Sequence, residues 1–483
     1  AVNVKATGRN EADGIANGGD PDMTPDEDAD DAPGISVGLF SLQVMLPKAT
    51  INGAVVAEFD GTLTDGADDA ASLNVEALGS NAAVASAEML SISLLGVQGA
   101  QATTEIGSEA DIIARMGSTA SVAADVVTVN AGHFVKPGTL NSGGSAAAAE
   151  NRALSTLTSN NGALIAVAVI RSDADVKGSV LAQLDGDITD GGDVTVTSVS
   201  RNLADVRTEA LGIGIGAFSA AGANAEIGAA TNSAASAASA ASINVDGDVR
   251  FSATSDSDAT AYSDAKTGGL IAANTSKPTS IVRADTKAEV SADITGADGV
   301  IDVRANADND ALAVSAALAA GVVGVNDSNA VAEITNQAET VASIGSAAEI
   351  NAPDADLIVL AEANNDAVAK TESVTGALIA VGVSSPKATT ASVTSATLLG
   401  QVNNGENAGA KSINVTARGA DAAVANVVSV GGGLVIVGSS ESEARNTGST
   451  NTQIGNSGGK IIATGAINVR ALGLTDADAT TKS

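Results

Sequence analysis

The chain has no cysteine and no tryptophan, and among its 483 residues only one tyrosine, five phenylalanines and a single histidine. Without cysteine there is no disulfide framework, thiol chemistry or cysteine-ligated zinc, and a second histidine for a zinc site is also missing. A Ser-His-Asp hydrolase has one candidate base, His133, but no nucleophile-elbow pattern accompanies it, so it reads as an ordinary loop histidine. With aromatics at 1%, the buried surface has to be assembled from Ala, Val, Ile, Leu and Gly. Such side chains let backbones approach closely and suit flat, stacked sheets better than a core anchored by large rings.

Positive charge is scarce as well. Lys and Arg number 24 against 57 Asp and Glu, a formal charge of −33, which opposes phosphate backbones and anionic membrane surfaces. Nucleic acid is not expected as a partner. The longest weakly polar stretch, Ala311 to Val325, is interrupted by Ser and Gly and is too short to span a bilayer, so no transmembrane segment is expected. The first residues carry no basic segment followed by an apolar run, which suggests a mature product or a piece of something longer.

What the chain does have is repetition. A short Ile-Asn-Val type of strand recurs with its final valine at Val4, Val75, Val129, Val196, Val245, Val303, Val359, Val415 and Val469. Neighbouring landmarks are separated by intervals of 71, 54, 67, 49, 58, 56, 56 and 54. A second landmark is a Gly followed by aliphatics, as in Gly376-Ala377-Leu378-Ile379 and Gly433-Leu434-Val435-Ile436. Its first large aliphatic follows the valine at one fixed offset in four repeats: 75 to 94, 303 to 322, 359 to 378 and 415 to 434.

Between landmarks the pattern has period two, the mark of a strand with one buried face. In Ile413-Asn414-Val415-Thr416-Ala417-Arg418 the apolar residues fall on one side and Asn, Thr and Arg on the other. The Ala-rich run 234–241 is helical by propensity alone, but it sits inside this rhythm and is read as strand or loop.

These signals predict an all-β fold, an elongated parallel β-helix or β-solenoid built from about eight degenerate repeats of roughly 56 residues. The array is continuous over 1–483, with repeats near 1–71, 72–125, 126–192, 193–241, 242–299, 300–355, 356–411 and 412–466 and a partial one at 467–483. Each repeat is either two or three coils or one broad coil with several strands. Two repeats exceed the fixed offset: Val4 to Ile35 by 12, over an insertion at 20–31, and Val129 to Leu164 by 16, over one at 133–149. Insertions in solenoids emerge as loops, where specific contacts are expected.

Calcium is the metal to consider, since hard cations take clustered carboxylates in loops. Asp20, Asp22, Asp26, Asp28, Asp30 and Asp31 offer them densely, without the EF-hand glycine and closing glutamate. Asp185, Asp187, Asp190 and Asp193 form a second candidate set, in a turn whose sequence aligns with that beginning Asp60-Gly61-Thr62-Leu63. Such Asp-Gly turns also have a purely structural use, through side-chain to backbone hydrogen bonds. Gly212-Ile213-Gly214-Ile215-Gly216 lacks the lysine and helix of a phosphate loop and reads as a strand of small residues.

The form Ile413-Asn414-Val415-Thr416-Ala417-Arg418-Gly419-Ala420-Asp421-Ala422, the Gly-aliphatic form near Gly376 and the Ala-rich alternation between them resemble the β-helical repeat regions of large secreted bacterial adhesins, of the filamentous haemagglutinin and leukotoxin-like filamentous type. That resemblance implies export, a parallel β-helix and a role in attachment or surface architecture, with a host or matrix surface as partner and no catalytic motif. The strand at Ala1 to Gly8 recurs at Ala466 to Gly473, and neither copy looks capped, which invites copies of the chain to stack end to end. The sequence therefore predicts a non-enzymatic, extracellular fibre segment or adhesin rod. A β-helical polysaccharide-active enzyme and a calcium-dependent binding module are the alternatives.

Overall fold

The computed structural model describes residues 1–15, 34–64, 71–133, 150–228, 232–403, 409–455 and 459–482. Its strands are far longer than usual because the alternation of small apolar with polar residues persists without a breaker. In Val249–Val282, odd-numbered residues from Val249 to Thr267 are buried, the phase then flips across 268–271, and even-numbered residues from Ala272 to Val282 are buried. Changing phase in the middle of a strand turns its buried face back on itself. The two limbs meet through small polar side chains: Ser276 Oγ donates to Ser263 O at 2.8 Å, Ser280 Oγ to Ala259 O at 2.6 Å and Asn274 Nδ2 to Ala265 O at 3.0 Å. Glycine is required at this corner, since a Cβ on Gly269 would lie 1.9 Å from Gly214 O and one on Gly321 2.0 Å from Gly269 O.

The chain is all-β, with no helix among the described residues, and its strands form a 20-stranded sheet and an 8-stranded sheet. All registered pairings are parallel. Val249–Val282 pairs residue for residue with Val300–Ser328, as Ala259 with Ala311. That strand pairs in turn with Glu349–Ser384, as Ala311 with Ala367, and Glu349–Ser384 with Ala410–Gly432, as Ala367 with Ala423. Each pass of the chain therefore lies on the one before. The smaller sheet takes short strands such as Val180–Leu184, Asn232–Ala237 and Asp285–Val290, also stacked in parallel. The Ala-rich run is thus strand at its start, as its rhythm predicted.

The interior is graded. At the base, between the smaller sheet and the first residues of the long strands, lie Leu73, Val75, Ile112, Phe251, Ile294 and Leu357. A wholly buried aliphatic of this kind contributes roughly 1.5–3 kcal/mol. Further out the limbs close on a column of alanines, Ala153, Ala204, Ala259, Ala311, Ala367 and Ala423, faced by Val176, Ile227, Val282 and Ile334. Between these two regions runs a buried amide ladder. Asn10 Nδ2 donates to Asn81 Oδ1 at 2.8 Å, Asn81 to Asn151 at 2.8 Å and Asn151 to Asn202 at 3.3 Å. Further along, Asn309 donates to Asn365 and Asn365 to Asp421, each at 2.8 Å. Every bond joins two passes, so the ladder fixes pass-to-pass register as well as satisfying buried groups.

Register corrects one landmark. Val196 pairs with Phe251, and Phe251 with Val303, whereas Val245 belongs to the short strand Ser242–Val245 and pairs with Gly191. The uneven intervals on either side of Val245 therefore give way to nearly equal ones on either side of Phe251. The Ile-Asn-Val pattern misleads here because Phe251 fills the interior place that valine fills elsewhere. Once the landmark is moved, Leu270 follows Phe251, and Ile215 follows Val196, at the same offset as Leu94 follows Val75.

The first insertion is longer than the sequence offset indicates. Pairing with Ser72–Ile106 runs from Val2↔Leu73 to Ile15↔Ser86, and resumes at Gly34↔Met89. Only Ala87 and Glu88 lie between those partners, opposite the span 16–33, which contains the expected insertion 20–31 and lies outside the described residues. The second insertion has the excess that its sequence offset indicates: Leu78 pairs with Gly132 and Asn81 with Asn151, which leaves Gly79 and Ser80 opposite the span from His133 to Glu150.

Candidate functional site

Outward-facing positions five and seven beyond each landmark carry carboxylates in three successive passes. Asp256 and Asp258 follow Phe251, Asp308 and Asp310 follow Val303, and Asp366 follows Val359. Parallel register stacks Asp256 on Asp308 and Asp258 on Asp310 on Asp366, with backbones about 4.8 Å apart. Period-two alternation turns all five to the same exposed face.

Charge crowding has a measurable consequence. The Asp310 carboxyl is pushed up to about 6, by burial first and then by the charges of Asp308, Asp258, Asp366 and Asp256. Burial also raises Asp258, with Asp256 adding to it while the Thr260 hydroxyl, 3.1 Å away, opposes it. Asp366 rises through burial and the charge of Asp308, and Asp205 through burial and the charge of Asp258. At the margins Arg201 Nε donates to Asp256 Oδ2 at 3.2 Å and Asn364 Nδ2 to Asp308 Oδ1 at 3.0 Å. The Asp310 carboxyl therefore takes up its proton near pH 6, within reach of neutral pH, a property found at sites that exchange protons or cations. Among the described residues no three acidic or histidine side chains converge as a metal-binding group.

Of the residues singled out in the sequence, Asp20, Asp22, Asp26, Asp28, Asp30 and Asp31 lie outside the described residues. The turn at 185–193 is described, and its carboxylates act between passes. Asp187 Oδ1 accepts the Ser242 N–H at 3.0 Å, and Asp193 Oδ1 accepts the Asp248 N–H at 2.9 Å. Asp185 is raised by burial with Arg115 opposing, and Asp190 pairs through its backbone with Ala123. Comparable bonds recur from Ser179 N–H to Asp111, from Val300 N–H to Asp248 and from Glu349 N–H to Asp293, each at 2.8 Å. The alignment with Asp60-Gly61-Thr62-Leu63 is also a matter of register, because Thr62 and Asp187 both pair with Ser121, and Leu63 and Ile188 both pair with Val122.

His133 is not an ordinary surface loop residue. It is buried at 4% exposure, its Nδ1 accepts the Arg201 N–H at 2.9 Å, and burial drives its pKa down to about 4. The imidazole is therefore neutral at physiological pH.

The acidic face was missed in the sequence although its signal is there. Asp256 and Asp308 align only when the landmark is Phe251; counted from Val245, Asp256 falls well beyond the place that Asp308 takes after Val303, and the column disappears. Comparison with known proteins adds no relative: no family model matches the chain, and no curated protein and no solved structure does either.

Proposed function

We propose that the chain is a β-solenoid with one broad coil per repeat, about eight coils in all, and that it serves as the structural rod of an extracellular fibre or bacterial cell-surface adhesin. One observation carries this reading: the parallel ladder takes in strands from Val2 to Lys482, each pass giving its faces to the next. Stability in such a stack is largely a nearest-neighbour property, so length can be added pass by pass. The edge strands Val2–Ile15 and Ile467–Lys482 each pair on one side only among the described residues, which leaves backbone groups for a further strand of the same kind. End-to-end stacking of copies is one way to supply it, and attachment to a host or matrix surface is the role that such a rod serves. Negative-stain imaging tests the rod: elongated particles of uniform width are expected, and compact globular particles would refute it.

The acidic face favours one second reading, a β-helical polysaccharide-active enzyme. Paired carboxylates with one raised pKa are what an acid-base hydrolysis uses. Against it stand six aromatics in the whole chain and few cations beside the column. A depolymerisation assay across uronate and neutral polymers separates the two, and loss of activity in Asp310→Asn would be required of the enzyme.

A further inference from the structure

The aliphatics of the Gly-aliphatic corner do not fill the core. Leu94, Leu164, Ile215, Leu270, Val322 and Leu378 occupy one position of six successive passes, between registered flanking pairs such as Gly214 with Gly269 and Gly216 with Ile271. They stay 39% to 55% exposed although a pass lies on either side of each. Leu39 before them and Leu434 after them continue the line. A neighbouring exposed aliphatic accompanies most of them, as Ile165, Ile271 and Ile379 do. Other large apolar residues are exposed elsewhere, among them Leu46, Val56, Val126, Val169, Val199 and Val383, but the corner line is the one that continues through all eight passes.

Eight positions at about 4.8 Å make a ridge about 34 Å long. With two half-exposed aliphatics in most passes, its area is on the order of the ~800 Å² per partner that a specific interface buries. That exceeds the few hundred Å² of patch expected on a monomer. The chemistry of the ridge narrows its occupant. A membrane surface is a poor fit, because the ridge has neither Trp nor Tyr to seat at an interface. A partner that meets every aliphatic must itself carry one at the same spacing, and a second copy does.

We propose that two copies pair side by side through this ridge, each burying the other's corner aliphatics along the length of the stack. The contact is lateral and independent of stacking at the ends, so it stands or falls separately from the end-to-end assembly above.

The absence of native cysteine provides a clean test. Leu270 lies mid-ridge, so in Leu270→Cys a side-by-side pair brings the two thiols within about one pass of each other, whether the copies run parallel or antiparallel, while end-to-end stacking keeps them apart. Mild oxidation is expected to yield a covalent dimer. In sedimentation velocity at high micromolar concentration the wild-type chain should form dimers. The triple variant Leu94→Asp, Leu270→Asp and Leu378→Asp should be monomeric, with unchanged far-ultraviolet circular dichroism. A wild-type chain that stays monomeric, with or without binding to phosphatidylcholine vesicles, overturns the proposal. So does a dimer that survives the triple variant and gives no cross-link through position 270.

Discussion

Asn309 Nδ2 donates to Asn365 Oδ1 at 2.8 Å, joining residues 56 positions apart in sequence and one pass apart in space. The bond repeats along the ladder with the same polarity, each amide giving to the next, until the Asp421 carboxylate ends the run by accepting from Asn365 and from Ser392 Oγ at 2.6 Å. The ladder has one gap. Ser257 occupies the place beneath Asn309, and although Asn202 reaches its hydroxyl at 3.4 Å, Asn309 Oδ1 has no donor.

Ser257→Asn is therefore expected to stabilise the protein. Asparagine already fits this position in the passes on both sides, and one added buried hydrogen bond is worth about 1 kcal/mol. Asn365→Ala should cost about 1–3 kcal/mol through the buried Asn309 amide it strands, while Asp421 keeps the Ser392 hydroxyl as a donor. Urea midpoints of the two variants, measured with unchanged slopes, check both signs.

Asp310 makes the stack more stable in mild acid. Its folded pKa of about 6 lies above the ordinary 3.8, so the folded chain takes up the proton first. Stability from this group rises as pH falls from about 6 toward 4 and is level below that. Asp310→Asn should abolish the gain and stabilise the protein at pH 7, by no more than about 1 kcal/mol because the group faces solvent. An unfolding series from pH 7 to pH 4 at low and high salt reads the effect, which should shrink with salt.

His133 works in the opposite sense. Its folded pKa of about 4 lies below the usual 6.5, so its contribution is complete above pH 6.5 and is lost as pH falls toward 4. The loss amounts to about 3 kcal/mol. As the chain has one histidine, its imidazole proton signal can be followed directly by NMR. No titration is expected between pH 7 and 5; a midpoint near 6.5 would show the ring to be solvated.

End-to-end stacking should be favoured by salt. Continuing the ladder from the last strand to the first, with Val469 over Val4, sets Arg470 over Lys5, Asp476 over Glu11 and Asp478 over Asp13. Like charges directly opposed across strands destabilise. Within the chain the same outward position joins unlike charges, Lys5 to Glu76 at 2.6 Å. Light scattering should report longer assemblies as ionic strength rises. Lys5→Glu should promote them at low salt, and assembly that weakens with salt would exclude this register.

The turn aspartates separate a structural from a metal role. Asp193→Ala removes the acceptor of the Asp248 N–H and should cost about 0.5–1.5 kcal/mol in calcium-free buffer, because the bond is exposed. A cost that appears only with calcium present would make the turn a metal site. Melting curves with EDTA and with added calcium decide between them.

Local chemistry was legible in the sequence. Period-two alternation fixed the strands, with Ala and Ser excluding helix only through that rhythm. The scarcity of large rings fixed closely spaced limbs, and Asp-Gly pairs marked the turns. Facts that need a neighbouring pass were not legible. Phe251 takes a valine's place because its side chain points into the same interior column, which no local pattern states. The alternation of Val249–Val282 changes phase at 268–271 in plain view, yet only the packed limbs show that this turns the strand back on itself. Asn309 and Asn365 look like surface polar residues in a polar stretch, Asp310 beside them likewise. Whether such a residue is a buried ladder member or a crowded outward carboxylate depends on which face its pass gives to the interior. Parallel register between passes, a contact between positions far apart in the chain, decides that.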